Sequence, residues 1–282
     1  MNGKTFYKHR LLRLTKVKKF HVIGCSRSGT TMMFYAMSAF ENAHLFEKET
    51  RPWMQPEFKR TVEFLLNPAH FYRPINYFTK RHSQWWTKEN VQAMYRHALE
   101  NGATLLHIVR DPRDVLTSSH PLDFKEYYIS PEHWRRSIEA GEELSETLED
   151  LGSMITIRYE DLIQNPRAVE ALLALKFDFR LKWDARGLEH LQENVAISGV
   201  SGTMISNMHR LRNFDPSTIG RWRTDPRKTS YLDRVFSNDS ISRDLHWFMK
   251  KFGYRDDDGG INSLNSRTPK PLETAHSGFS FN

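Results

Sequence analysis

The chain has 282 residues, 39% of them hydrophobic, and a formal net charge of +7 at pH 7, which is typical of a basic globular protein with a packed core. No apolar run approaches the roughly 18 residues that a spanning helix needs, and the N-terminus lacks the apolar stretch of a signal peptide, so we expect no membrane span and a cytoplasmic location. The charge predicts an anionic partner, but zinc-finger spacings, RNP-type motifs and basic-zipper heptads are missing, so we expect no nucleic-acid partner.

The predicted elements alternate between strands and helices. Residues 20–24 (FHVIG) form a short apolar strand, followed by the loop CSRSGTT and a buried helix in MMFYAMSAF. A second strand is predicted at residues 103–109, and a helix begins near Pro112. A third strand covers residues 153–159, and a helix with Pro166 at its first position follows it.

This alternation predicts an α/β protein with a three-layer P-loop-type fold, in which helices flank a central, mostly parallel sheet. Ligands of such folds bind beyond the carboxyl ends of the strands. We expect residues 1–255 to form a single domain. Residues 41–101 lack a clean periodicity and are interpreted as a substrate-side insertion of helices and loops, and the polar residues 256–282 as a flexible tail.

The loop after the first strand carries two glycines five residues apart, Gly24 and Gly29. Glycines allow a close approach of backbone amides to an anion, and the following helix adds the positive end of its dipole, so the pattern predicts a phosphate cradle. A nucleoside-triphosphatase loop would carry lysine at the position of Thr30. A phosphotyrosine-phosphatase loop would need arginine six residues after Cys25, where Thr31 stands, so we interpret the single cysteine as a buried small residue.

The loop sequence RSGTT resembles the 5'-phosphosulfate loop of the sulfotransferase family that depends on 3'-phosphoadenosine-5'-phosphosulfate (PAPS). The resemblance implies that the cofactor is bound by Arg27, Ser28, Gly29, Thr30 and Thr31. That family binds the 3'-phosphate with an arginine at a strand end and a serine eight residues later, and HIVRDPRDVLTSS supplies Arg110 and Ser118 at that spacing. An arginine offers a planar fork to a phosphate, and the serine hydroxyl adds a second donor. Pairing of Arg110 with Asp111 or Asp114 is the structural alternative.

Two further segments match the family in the expected order. RYEDLIQNP, residues 158–166, resembles a segment after a later strand, and IGRWR, residues 219–223, resembles the segment whose basic residue, here Arg221, closes over the cofactor. An RSGTT loop is closest to the branch that acts on glycans or tyrosyl proteins. The resemblance implies transfer of a sulfuryl group from PAPS to an acceptor hydroxyl on a glycan, a small alcohol or a tyrosine, by an in-line displacement that leaves PAP and needs no metal.

The reaction also needs charge stabilisation and a general base. By the same resemblance Arg27 stabilises the leaving phosphate. EKETR resembles the stretch after the first helix in tyrosylprotein sulfotransferases, which makes Glu49 the first candidate for the base, Glu47 the second and Arg51 a contact to an acidic acceptor. Both glutamates remain open to interpretation as ordinary surface charges.

The sequence leaves the roles of several other side chains undecided. Five histidines are secondary candidates for the base: His44, His70, His82, His107 and His120. His107 falls inside a strand, which favours a core role. A cluster of aromatic residues is interpreted either as an acceptor pocket or as core: Tyr72, Tyr77, Phe78, Trp85 and Trp86. A P-loop small-molecule kinase that uses ATP is the alternative enzyme, and a non-catalytic polyanion binder that uses the basic run at residues 8–19 is the alternative outside catalysis.

Overall fold

The computed structural model describes residues 17–46, 74–120, 126–196 and 214–255. The chain divides into two compact units, which are described separately. The first unit comprises Met1–Arg110 and Arg136–Ile219, and the second comprises Asp111–Arg135 and Gly220–Asn282. The C-terminal tail predicted for residues 256–282 lies outside the described residues.

The first unit is built on a parallel sheet of five strands. In chain order the strands are β1 (Val17–Gly24), β2 (Ala43–Leu45), β3 (Ile75–His82), β4 (Ala103–Val109) and β5 (Met154–Arg158). Their spatial order is β2-β3-β1-β4-β5, and all four strand pairs are parallel. β1 is therefore central, and the loop that follows it lies at the carboxyl edge of the sheet, as the α/β prediction requires.

Nine α-helices lie among the described residues. They are α1 (Thr30–Ala36), α2 (Lys88–Asn101), α3 (Pro112–Leu116), α4 (Pro131–Leu148), α5 (Tyr159–Gln164), α6 (Pro166–Phe177), α7 (Leu191–Ala196), α8 (Pro226–Phe236) and α9 (Asp239–Phe252). Within those same residues, no helix combines the length and the apolar character needed to cross a membrane.

The two faces of the sheet bury different core clusters. Neighbouring residues of a strand point to opposite faces, and accordingly Val22 and Leu106 join one cluster whereas Ile23 and Leu105 join the other. The first cluster contains residues of α1, α5 and α6, and the second contains residues of α2 and α4. Helices therefore cover both faces, which confirms the predicted three-layer α/β fold.

Two consecutive lysines of β1 tie the sheet to a helix on each face. Lys18 Nζ donates to the carbonyl of Phe177, at the end of α6, over 2.9 Å, and the Nζ of Lys19, a buried side chain, donates to the carbonyl of Asn101, at the end of α2. The last carbonyls of a helix lack partners within the helix and carry partial negative charge, so a lysine there is favourable. These lysines belong to the strand because β1 begins at Val17, three residues before the strand predicted from the sequence.

The prediction that residues 41–101 consist of helices and loops was wrong for this stretch, because β2 and β3 lie within it. β3 pairs with the central strand along its whole length, from Ile75 opposite Val17 to His82 opposite Gly24. Its sequence, INYFTKRH, lacks a long apolar run because it buries the polar side chains of Thr79 and Lys80 together with its aromatic residues. The strand is recognisable only once the partners of those polar groups are known.

The second unit centres on a network of buried charges. α3 begins at Pro112, as predicted, and Asp111 caps it by accepting a hydrogen bond from Arg113 N over 2.9 Å. Asp111 also forms a 2.8 Å ion pair with Arg113, whose guanidinium lies 4.4 Å from the ring centroid of Trp222. Asp114 accepts hydrogen bonds from the amides of Gly220, at 2.7 Å, and Trp222, at 3.3 Å. α3 therefore fixes the backbone of a segment more than 100 residues away in the chain.

Candidate functional site

The loop between β1 and α1, residues 24–31, is a tight turn that requires both of its glycines. A Cβ at Gly24 (φ 149°) would fall 2.4 Å from the carbonyl oxygen of Ile108 in β4. Ser28 closes the turn by donating from N to Cys25 O over 3.1 Å and from Oγ to the same oxygen over 2.6 Å. Arg27, at the tip, adopts a φ of 73°, in the left-handed region that arginine rarely occupies.

A ring and a guanidinium from neighbouring strand ends pack against this loop. Tyr159, which follows β5, lies so close to Gly29 that a Cβ there would fall 2.4 Å from its Cδ2. The Arg110 guanidinium, which follows β4, lies 4.4 Å from the centroid of the Tyr159 ring and donates to Arg27 O over 3.0 Å. Arg110 also donates to Thr218 O, and the Tyr159 hydroxyl lies 2.8 Å from Thr218 Oγ1. The structure therefore brings Arg110 to the loop that carries Arg27.

β3 places a lysine and a histidine at the same carboxyl edge of the sheet. The Nζ of Lys80, an 8% exposed residue, donates to Thr31 Oγ1 over 3.3 Å. His82 ends the strand directly opposite Gly24, and Ser83 N continues the pairing by donating to Gly24 O over 3.0 Å. Lys80 was not predicted, because residues 41–101 were interpreted as an insertion, and His82 was one of five histidines that no motif distinguished.

Buried polar side chains from the segment after β3 and from α4 form a cluster next to the β1–α1 loop. Gln84 contacts Ser26 through both ends of its amide, and Ser83 Oγ lies 2.5 Å from Ser137 Oγ. Burial raises the pKa of the Cys25 thiol to about 12, and a hydrogen bond with Ser137 lowers it by a smaller amount. Because the thiolate is the reactive form, Cys25 is unsuited to be a nucleophile, and its interpretation as a buried residue is confirmed.

The other histidines lie in varied settings. His107 is 3% exposed, contacts Thr156 Oγ1 through Nδ1 at 3.4 Å and packs against Gly141 of α4, where a Cβ would fall 2.6 Å from the ring. Its predicted core role is confirmed. His44 is exposed on β2, and His120 stacks on Tyr128 in the second unit.

The aromatic cluster divides between core and surface. Tyr77, Phe78 and Trp86 are 2%, 0% and 7% exposed and form part of the core, whereas Trp85 is 57% exposed. The remaining candidates from residues 41–101 lie outside the described residues. They are Glu47, Glu49, Arg51, His70 and Tyr72.

The second unit carries the other two predicted cofactor residues. Ser118 is half-buried just after α3 and donates from Oγ to Asp114 O over 2.8 Å. Arg221 is exposed at the start of a short 3-10 helix, Arg221–Thr224, and the amides on either side of it are those bound by Asp114. Asp114 therefore orients the segment that displays Arg221.

A family model described as the sulfotransferase domain matches residues 18–174 of the chain. The chain belongs to the sulfotransferase family. The match covers the sheet, the β1–α1 loop and the strand ends that surround the loop. The family predicted from RSGTT and the accompanying segments is thus confirmed, and sulfuryl transfer is the reaction class of this sulfotransferase. Among the described residues, no group of three or more His, Cys, Asp or Glu side chains is arranged to hold a metal ion.

The chain is similar to several solved sulfotransferases at low sequence identity. The sulfotransferase domain from the curacin biosynthetic pathway is 14% identical, with a TM-score of 0.50, over 77% of this chain and 97% of that chain. The sulfotransferase domain of the Synechococcus PCC 7002 olefin synthase is 17% identical, with a TM-score of 0.49, over 78% and 94%. A mouse sulfotransferase solved with PAP is 12% identical, with a TM-score of 0.44, over 84% and 89%. No curated protein sequence matches this sulfotransferase significantly.

Proposed function

We propose that this sulfotransferase takes a sulfuryl group from PAPS and transfers it to the hydroxyl of an acceptor, with the 5'-phosphosulfate held by the β1–α1 loop. The observation that carries the proposal is the convergence of three cationic side chains on this loop. Arg27 belongs to it, Arg110 donates to Arg27 O, and Lys80 donates to Thr31 Oγ1. A polyanion is the ligand that such an arrangement favours.

The loop residues fit the phosphosulfate group. Gly24 and Gly29 lack the Cβ that would clash with Ile108 O and the Tyr159 ring, so the loop can pack closely and adopt the positive φ angles of this turn. The helical run that starts at Thr30 contributes N–H groups without intrahelical acceptors and the positive end of its dipole. The Thr31 hydroxyl, half-buried at the loop, adds a further donor.

The chain's own residues account for charge stabilisation. PAPS, when bound, supplies a sulfuryl group attached to a phosphate that departs in an in-line displacement. The Arg27 guanidinium, permanently charged, stabilises the negative charge that develops on this phosphate. Lys80, held by Thr31, adds a second positive charge, and its buried position in β3 limits its freedom of movement. Positioning and electrostatics supply most of the catalysis in such reactions.

The general base has two candidates. Glu49 is proposed from the resemblance to tyrosylprotein sulfotransferases. His82 is proposed from the strand pairing, because it ends β3 opposite Gly24 and is half-buried at the edge where the loop begins. A neutral imidazole can accept the proton of an acceptor hydroxyl within hydrogen-bond reach. Either base is compatible with a glycan, a small alcohol or a tyrosine as the acceptor.

The remaining cofactor contacts follow from the family resemblance. Arg110 and Ser118 are proposed to bind the 3'-phosphate, and Arg221 to close over the nucleotide. Arg110 is supported further by its hydrogen bonds to Arg27 O and Thr218 O, which hold its guanidinium at the carboxyl edge of the sheet. Asp114 supports Arg221 by binding the amides of its two neighbours.

Calorimetric titration with PAP tests the proposal, with ATP plus magnesium as the competing ligand. We expect tight binding of PAP and little response to ATP. Arg27→Ala should weaken PAP binding about 10- to 100-fold, because hydrogen bonds to charged groups contribute that much. The matched control is Arg180→Ala, which removes an exposed arginine and the same charge. Binding of ATP alone would favour the P-loop kinase, and a salt-sensitive response to any polyanion would favour the non-catalytic binder.

A further inference from the structure

We infer that Gln84 is a positioning residue that fixes the β1–α1 loop through Ser26, the residue before Arg27. Ser26 N donates to Gln84 Oε1 over 3.0 Å, and Gln84 Nε2 donates to Ser26 Oγ over 2.8 Å. The two residues are 1% and 4% exposed. Gln84 thus forms hydrogen bonds with both the main chain and the side chain of one loop residue.

The Gln84 amide extends the strand pairing beyond the end of the sheet. β1 and β3 pair in parallel as far as Gly24 and His82, and Ser83 N adds one more backbone hydrogen bond to Gly24 O. The next pairing partner of the loop is the side-chain amide of Gln84, which carries a donor and an acceptor as a peptide group does. The loop is therefore held to the segment that follows β3 at two successive points.

This position matters because of the conformation of the next residue. Arg27 lies in the left-handed region, and a non-glycine residue stays there only where its surroundings hold it firmly. Gln84 fixes the residue before Arg27, and Arg110 Nη1 binds the carbonyl of Arg27 itself. These two contacts bracket the tip of the loop and set the direction in which the Arg27 side chain leaves it.

The contact between Gln84 and Ser26 also connects two parts of the proposed active site. His82 and Gln84 are separated by a single residue, so the segment that carries the histidine is bound to the loop that carries Arg27. Loss of the Gln84 amide should displace the loop relative to the end of β3, and displacements of about 1 Å lower rates strongly in preorganised sites. The test by PAP affinity rests on the proposed function, whereas a second test, by amide hydrogen exchange, needs no cofactor.

The first measurement compares Gln84→Met with Gln92→Met. The Gln84 variant keeps the length of the side chain and removes both hydrogen-bonding groups, and Gln92→Met makes the same change at an exposed position of α2. We expect Gln84→Met to bind PAP about tenfold more weakly and to raise KM for PAPS, with KM for the acceptor unchanged. A lower thermal midpoint with unchanged PAP affinity and KM values would mean a merely structural role and would overturn the inference.

The second measurement is amide hydrogen exchange in the ligand-free protein. The Ser26 N–H is buried and bonded to Gln84, so we expect peptides covering residues 24–31 to exchange faster in Gln84→Met and at the wild-type rate in Gln92→Met. If the wild-type protein fails to bind PAP, the proposed function falls while this comparison still tests Gln84. Unchanged exchange in the loop would overturn the inference.

A milder variant covers the case in which Gln84→Met does not fold. Ser26→Ala removes only the Oγ that accepts from Gln84 Nε2 and keeps the backbone N–H. We expect it to weaken PAP binding about threefold, since one neutral hydrogen bond contributes less than two. Wild-type affinity together with wild-type exchange in Ser26→Ala would contradict the role assigned to the pair.

Discussion

The ring of Tyr159 lies where a side chain at Gly29 would have to go, since a Cβ built there falls 2.4 Å from Cδ2 and 2.9 Å from Cε2 of the ring. Gly29 also has a φ of 99°, so alanine would meet backbone strain as well as a clash. Because Tyr159 packs against Arg110, a shift of the ring would also displace the guanidinium.

Gly29→Ala should therefore lower PAP affinity by more than about 100-fold and destabilise the protein by a few kcal/mol. Calorimetry with PAP and thermal unfolding measure the two effects. The control is Gly152→Ala, at a glycine that also has a positive φ (69°) but has no atom within 4 Å of a built Cβ. Equal losses in the two variants would attribute the effect to backbone strain alone.

Replacement of each candidate base separates His82 from Glu49. The variant that removes the true base, His82→Asn or Glu49→Gln, should lower kcat by about 10²- to 10⁴-fold while leaving PAP affinity near that of the wild type. His190→Asn, at a half-buried histidine that is not a candidate for the base, serves as the control. Full activity in both variants would assign the proton transfer to another group.

Asp114 allows a test within the second unit. Asp114→Asn replaces the carboxylate that binds the amides of Gly220 and Trp222, and one of those buried amides should lose its acceptor. We expect the free energy of unfolding to fall by about 1–3 kcal/mol in urea titrations. Asp233→Asn, on the exposed side of α8, is the matched change and should have little effect. Equal stability in the two variants would show that the buried carboxylate is dispensable.

The buried thiol of Cys25 predicts resistance to alkylation. A pKa raised from 9.0 to about 12 lowers the thiolate fraction near neutral pH about a thousandfold, since each pH unit is a factor of ten. Iodoacetamide should therefore leave the native protein unmodified and label it once urea unfolds the chain, as mass spectrometry can follow. Labelling of the native protein at the rate of a free thiol would contradict the burial of this residue.

The sequence predicted the elements whose burial is uniform. β4 coincides with the predicted residues 103–109, and α3 begins at the predicted proline, because an apolar run and a proline carry their signal locally. β3 was missed because its buried polar residues, Thr79 and Lys80, form hydrogen bonds with distant partners. Lys80, for example, reaches Thr31, 49 residues away in the chain.

The same distinction separates the parts of the candidate site. The loop glycines, Arg27 and Arg110 follow from local motifs, and the structure brings them together. The pairing of Gln84 with Ser26 joins residues 58 apart, and nothing in either local sequence specifies the partner. The packing of Tyr159 on Gly29 depends on the neighbouring strand ends in the same way, although the tyrosine lies in a segment that the family resemblance had already marked.

The lysines that cap α2 and α6 bear on how the basic run at residues 8–19 can be studied. Lys18 and Lys19 are the last two residues of that run, yet they bind helix carbonyls inside the first unit. A truncation meant to test the run as an attachment point for polyanions must therefore stop at Lys16. A cut after Lys19 would remove the anchors of one helix on each face of the sheet, and a loss of polyanion binding in that protein would report only on unfolding.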